Sequence, residues 1–372
     1  MKLLKNLVLV DDSHPLNLHK VDILIEKDTI IDIKEEIDLK NIEIIKYNHE
    51  YVSPGWIDIH THIYEGVTDI SVDADRIGVN SGVVLLCDAG SSGEATIDDF
   101  YNLVKNKKTI VKSWINIAST GLRDRHELKD KSNVNIEKTI DKINEYNDFV
   151  VGIKVRASAS VMGKDTVTPF EKAKIVKEKT GKPIMVHVGN FPPRLEEVLS
   201  NLSKGDILTH CYHGKPGGIL DENKKVKVYV KNKRLEEVKF DVGHGQESFS
   251  YLVSLLAKQD GFYPDSISSD LHKYNLNGPV YSLANVVNKF LNSGYDLNEV
   301  ISLVTNKPAR LLKLQEFGKI KSGGKAHLTV FKLDNEEKEL EDSVGMKINV
   351  DSVVKVVDVY VNGERCDVKY EN

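Results

Sequence analysis

The sequence predicts an α/β fold, a (β/α)8 TIM barrel with a small β-sandwich domain formed from both chain ends. Three observations lead to it. Between about residues 50 and 317, short β-rich runs alternate with amphipathic stretches, a pattern that forces parallel strands joined by helical crossovers. Both ends carry strand-like runs without helices. Several central runs are also interrupted near their ends by histidine, lysine or aspartate, and functional side chains gather at the C-terminal ends of barrel strands.

The first end offers NLVLVDD, VDILIEKDTIIDIKE and IEIIKYN. Eight central runs follow: GWIDIH (55–60), GVVLLCDAG (82–90), SWINIAS (113–119), VVGIKVRAS (150–158), PIMVHVG (183–189), DILTHCY (206–212), KFDVGHG (239–245) and SISSDLH (266–272). Helical candidates separate most of them, clearest in NIEKTIDKINEYNDF, PFEKAKIVKEKTG with Gly181 as its stop, RLEEVLSNLSKG and SFSYLVSLLAKQ. Eight strands in this alternation favour a barrel over a doubly wound sheet. KSGGKAH reads as a turn into the returning end, where HLTVFKL and VVKVVDVYVNGE complete the small domain. The expected division is 1–52 with 318–372 for the small domain and 53–317 for the barrel, whose neighbouring termini let the two halves meet.

With 372 residues, 40% of them hydrophobic, the chain can bury one large core and a smaller second one. Its formal charge of -5 is spread along the chain, leaving no basic stripe for nucleic acid and no polybasic membrane patch. Lys5 and Asn6 interrupt the apolar start, so it reads as a strand and not a signal peptide, and no apolar run is long enough to span a membrane. Three separated cysteines, Cys87, Cys211 and Cys366, fit a reducing cytoplasm. GHGQES begins like a dinucleotide fingerprint, but Ser248 stands in place of the third glycine.

His60 and His62 lie two apart at the end of an apolar run, so a strand sends both imidazoles to one face. Such a pair also occurs as simple packing, and the other strand ends decide. His187 interrupts MVHVG, His210 interrupts LTHCY, SSDLH offers Asp270 and GIKVRAS offers Lys154. A lysine ammonium would be repelled by divalent cations. Desolvation lowers its pKa, and the neutral amine can add carbon dioxide to become an anionic carbamate able to bridge two metals. The plainer reading is a buried lysine paired with an acid.

PGWIDIHTH, Lys154, His187, His210 and Asp270 resemble, in residue type and chain order, the amidohydrolase superfamily and its binuclear members with a carboxylated lysine. GIKVRAS, HVGNFPP, THCYHG and GHGQESF resemble its dihydroorotase-like deacetylase subgroup. The resemblance implies two divalent metal ions, with His60, His62 and Asp270 on the buried one, His187 and His210 on the more exposed one, and carboxylated Lys154 between them. Nitrogen and oxygen ligands suit zinc, with manganese, cobalt or iron as alternatives. It further implies a hydrolase cleaving an amide or ester bond of a small acylated, carboxylate-bearing substrate, using a metal-bridging hydroxide with Asp270 as catalytic proton shuttle.

Arg156, two residues beyond Lys154, should face the same side and grip a substrate carboxylate or form a structural ion pair. Tyr64 would reach the oxyanion or close the rim. Asn190, His213, His244 and Gln246 follow their strands and would line the pocket or be solvated. Cys211 alternates away from His210 and should pack under helices. His14, His19, His49, His126 and His327 read as surface or capping residues, and His272 is ambiguous. One alternative is dihydroorotase, weakened because Ile63 and Tyr64 stand where its arginine follows the HxH motif. Another is a noncatalytic scaffold subunit, and a homo-oligomer is compatible with all of these readings.

Overall fold

Seven parallel strands form the barrel wall of this computed structural model, which describes residues 1–369. In pairing order they are Trp56–Thr61, Val83–Gly93, Ile110–Asn116, Val150–Ala157, Ile184–Val188, Ile207–Thr209 and Lys239–Phe240. They are aliphatic because helices cover one side and barrel-interior side chains the other, so a strand such as Val83–Gly93 is buried along its whole length. The result is a TIM-barrel-like domain.

The eighth run, 266–272, is not a regular strand. It closes the barrel through two isolated bridges, Asp241 to Ser266 and Thr61 to Leu271. Its own side chains compete for the ladder. Ser266 and Ser268 donate to Asp241, Ser269 Oγ accepts from the Leu271 amide, and Asp270 turns to φ +51°, outside the strand region.

Helix boundaries follow the capping chemistry. Asn135 caps Ile136–Glu145, Ser250 caps Tyr251–Gln259, and Gly181 at φ +69° ends Thr168–Thr180. RLEEVLSNLSKG shrinks to Leu195–Ser200, because the Ser203 amide and hydroxyl bond to Asp206 and turn the chain toward the next strand.

The chain ends meet in one hydrogen-bonded sheet of eight strands. Leu328–Glu341 pairs with Lys347–Val361 on one side and with Tyr51–Pro54 on the other, and the path continues through Lys2–Leu9, Lys20–Glu26 and Thr29–Lys34. The sequence leads to a sandwich; the hydrogen bonding joins all eight strands into one continuous sheet and does not by itself show a separate sandwich. His327 also departs from its expected surface position. It sits at the joint before Leu328–Glu341, buried, with its ring stacked 4.7 Å from Phe317 and Nδ1 accepting from the Asn362 amide at 3.2 Å. Burial pushes its pKa down to about 4.

Gly152 lies where two barrel strands must approach Trp114. A Cβ there would stand 2.1 Å from the indole ring and 2.6 Å from the Pro183 carbonyl oxygen. Gly152→Ala is therefore expected to destabilise the fold by about 1–3 kcal/mol through overpacking, read as a lower Tm.

Candidate active site

His60 closes the first strand with its imidazole fully buried. Thr209 Oγ1 donates to Asp241 Oδ2 at 2.7 Å, so at 3.0 Å it accepts the proton of His60 Nδ1. The lone pair of Nε2 is left facing inward, 3.1 Å from Lys154 Nζ and 3.4 Å from Asp270 Oδ1. His62 Nδ1 lies 3.0 Å from Ser91 Oγ, a hydroxyl that can donate or accept, and its Nε2 lies 3.2 Å from Asp270 Oδ1. Ser91 is itself held through its amide by Asp88.

His210 follows Ile207–Thr209 at φ +63°. The Gly243 carbonyl, 2.6 Å away, can only accept, which places the His210 proton on Nδ1 and frees Nε2, 2.7 Å from His187 Nδ1. Asp270 and His210 are thus both held in the left-handed region that non-glycine residues seldom adopt. Ligand atoms of His60, His210 and Asp270 lie within 4.8 Å of one another, close enough to share a metal ion.

Lys154 is 1% exposed, and among the described residues its amine bonds only to His60 Nε2 and, at 3.5 Å, to Met185 Sδ. Gly90, at φ +86°, leaves room for the lysine stem, since a Cβ there would meet Lys154 Cγ at 2.7 Å. Burial draws the Lys154 pKa down to about 7. It also pushes His60 and His187 well below the usual imidazole range and His210 to about 4. For Asp270, burial acts upward but is outweighed by His60, the hydrogen bond to His62 and His210, which hold the carboxyl well below its usual range.

A cavity of about 330 Å³ opens onto this cluster, lined by His60, His62, Lys154, His187 and Asp270. Its rim carries the Arg125–Asp69 pair at 2.7 Å and the Lys215–Glu247 pair at 2.8 Å, with Arg156, Gln246, His272 and Tyr274 completing it. Of the expected substrate residues, Arg156 and Gln246 reach the cavity. Tyr64 turns away, 1% exposed, its ring against Phe100 and its hydroxyl 3.3 Å from the Thr96 carbonyl. Asn190 accepts from Ser160, His213 faces a second cavity beside Lys227 and Tyr229, and His244 is buried against Lys289. Cys211 is packed in the core as expected.

Sequence reasoning missed Thr209, Asp241, Asp88 and Ser91, which orient the imidazoles, and Glu127 and Lys289. Asp88 in VVLLCDAG carried the signal used for the ligands, a charge inside an apolar run.

A parallel barrel that delivers imidazoles, a half-buried carboxylate and a buried lysine into one cavity belongs to the metal-dependent hydrolases. The chain is a member of the amidohydrolase family, whose profile matches residues 51–366, and it is a hydrolase acting on C–N bonds. A deacetylase of Enterococcus faecalis is 37% identical over 364 residues, spanning 97% of this chain and 99% of that one. A crystal structure described as an adenine deaminase superposes with a TM-score of 0.93 at 38% identity, covering 98% of this chain and 99% of the other. One described as a dihydroorotase gives a TM-score of 0.93 at 31% identity, covering 100% and 98%. Among the described residues no helix is long and apolar enough to cross a membrane.

Proposed function

We propose that this protein is a deacetylase-like hydrolase that cleaves an amide or ester bond of a small acylated substrate bearing a carboxylate. The observation that carries the reading is Lys154, a buried amine that has no carboxylate hydrogen-bonded to it among the described residues and is drawn toward neutrality beside His60 in the cavity that Asp270 also lines. A neutral amine adds carbon dioxide with loss of one proton, giving a carbamate that offers two oxygens. The donor set suits a metal pair. The tautomers of His60 and His210 are fixed from behind by Thr209 and the Gly243 carbonyl, leaving their Nε2 lone pairs aimed inward, and Ser91 steadies the His62 ring. His60, His62 and Asp270 would hold one ion, His187 and His210 the other, and carboxylated Lys154 would join them, with zinc the best match to these ligands. When bound, such a pair makes water acidic enough to ionise near neutral pH and polarises the scissile carbonyl.

The chain's own groups do the rest. The Asp270 carboxylate takes the proton of the attacking water and returns it to the leaving amine or alkoxide. Arg156 spends Nη1 on both oxygens of buried Glu127, at 3.0 and 3.2 Å, while Nε and Nη2 have no protein partner among the described residues. That free edge suits a substrate carboxylate. Arg156→Met is expected to raise KM for carboxylate substrates about 10–100-fold, the loss of a charged hydrogen bond worth roughly 1.5–3 kcal/mol, with kcat little changed. Steady-state kinetics against a neutral analogue checks this, because the analogue should show no such rise.

Ile63 and Tyr64, which stand where dihydroorotase has its arginine, are both buried, so an open-chain substrate is preferred over dihydroorotate. The test is a hydrolysis screen of the metal-loaded protein with N-acyl amino acids, O-acyl hydroxy acids, dihydroorotate, hydantoins and adenine. Turnover confined to the cyclic compounds overturns the proposed substrate class. A chain that binds no metal and turns over nothing is instead a scaffold.

A further inference from the structure

Lys289, on the helix Leu283–Leu291, is fully buried and lies outside the cavity. Its amine donates to His244 Nε2 at 2.7 Å and to the Pro279 carbonyl oxygen at 2.7 Å. An imidazole that accepts at Nε2 carries its proton on Nδ1, and Nδ1 lies 2.9 Å from the Gly245 carbonyl oxygen. The same oxygen accepts from Ser343 Oγ at 2.9 Å. Ser343 sits at the turn of the hairpin formed by Leu328–Glu341 and Lys347–Val361, where neighbouring Asp342 accepts from the Tyr251 amide at 2.9 Å.

The backbone of Gly245 is therefore held through both of its flanking peptides. Its amide donates to the Ser269 carbonyl at 2.9 Å, and its carbonyl is gripped by His244 and Ser343. At φ +55°, its Cα presses so close to Asp270 that a Cβ would stand 2.6 Å from Oδ2. Asp270 Oδ1 meanwhile faces His60 and His62 at 3.4 and 3.2 Å. Rotation of the carboxylate is limited on one side by the imidazoles and on the other by this backbone.

We propose that Lys289 and His244 are positioning residues for Asp270, acting through the Gly245 backbone to fix the carboxylate's rotation. This rests on the reading of Asp270 as the proton carrier. Neither residue lines the cavity. The hairpin from the terminal sheet takes part through Ser343, so the end sheet reaches the rear of the active site. A well-placed carboxylate affects proton transfer more than substrate binding, and loss of supporting partners typically costs roughly 10–100-fold in activity.

The test uses the metal-loaded full chain with Lys289→Met and, separately, Ser343→Ala. Steady-state kinetics, metal content and backbone hydrogen exchange over 243–248 are measured. The expected result is kcat lower by roughly 10–100-fold for Lys289→Met, KM within about twofold, full metal content and faster exchange in that segment. Ser343→Ala should give the same pattern more weakly and decides the matter if Lys289→Met does not fold. Unchanged exchange, or a loss confined to KM, overturns the proposal. Faster exchange with unchanged kcat also overturns it when Asp270→Asn is inactive. If Asp270→Asn is itself active, the reading of Asp270 is what fails.

Discussion

Lys154→Met is expected to lower hydrolysis by on the order of 10³-fold, since a metal-joining ligand supports several kcal/mol of transition-state stabilisation. The same substitution should raise the stability of the metal-free protein at pH 7. Burial draws the Lys154 pKa from 10.5 to about 7. Between those values the unfolded chain holds a proton that the folded chain has released, so this lysine makes stability rise with pH across that window. At and below pH 7 its penalty is close to full; above 10.5 it vanishes. Methionine fills similar space without the charge, so the Tm gain over metal-free wild type should be largest near pH 7 and shrink toward pH 10. Thermal unfolding of both metal-free proteins, with metal analysis of the loaded forms, measures the two effects. A lower Tm for Lys154→Met at pH 7 would mean that the amine is not a burden on the fold.

The parts of the site that the sequence revealed share one property: each is a charged or imidazole side chain inside a strand or within a residue or so of its end, the run 266–272 standing in for the eighth strand. His60, His187 and Lys154 stood out for that reason, and the two-residue period of a strand set their common direction. The reasoning stopped working a few residues beyond the strand ends. Trp56–Thr61 ends before Tyr64, so counting two residues on from His62 no longer fixed a direction, and the side chain turned into the shell against Phe100. Asn190 and His213 lie beyond Ile184–Val188 and Ile207–Thr209 in the same way. Partners brought together only by closure of the barrel were also hidden. Thr209 meets His60 across 149 residues, and Lys289 reaches His244 from the buried helix Leu283–Leu291. The strand runs of the chain ends were legible, but their pairing into a single sheet was not, because register depends on contacts between segments some 300 residues apart.

Asp270→Asn should lower kcat by roughly 10²–10⁴-fold, the usual contribution of a positioned general acid-base group, because an amide cannot take up and return a proton. Asparagine suits the test better than alanine. Position 270 sits at φ +51°, where asparagine is at ease and alanine is strained, so the backbone and the Gly245 contact stay in place. KM is expected to change little, which kinetics on the metal-loaded enzyme will show. Stability of the metal-free protein separates this change from Lys154→Met. Against the upward push of burial, charge on His60, the hydrogen bond to His62 and charge on His210 hold the Asp270 carboxyl well below its usual range, and because burial keeps His60 and His210 neutral at pH 7, the stabilisation they lend the carboxylate belongs to acidic pH. Asp270→Asn should therefore lower the metal-free Tm in acid, where these imidazoles carry charge, whereas Lys154→Met should raise it at pH 7. Two substitutions that both abolish turnover but move the metal-free Tm in opposite directions would show that the site's charges act separately on folding and on chemistry. If both shift it the same way, the damage is general, and the loss of activity says little about either residue.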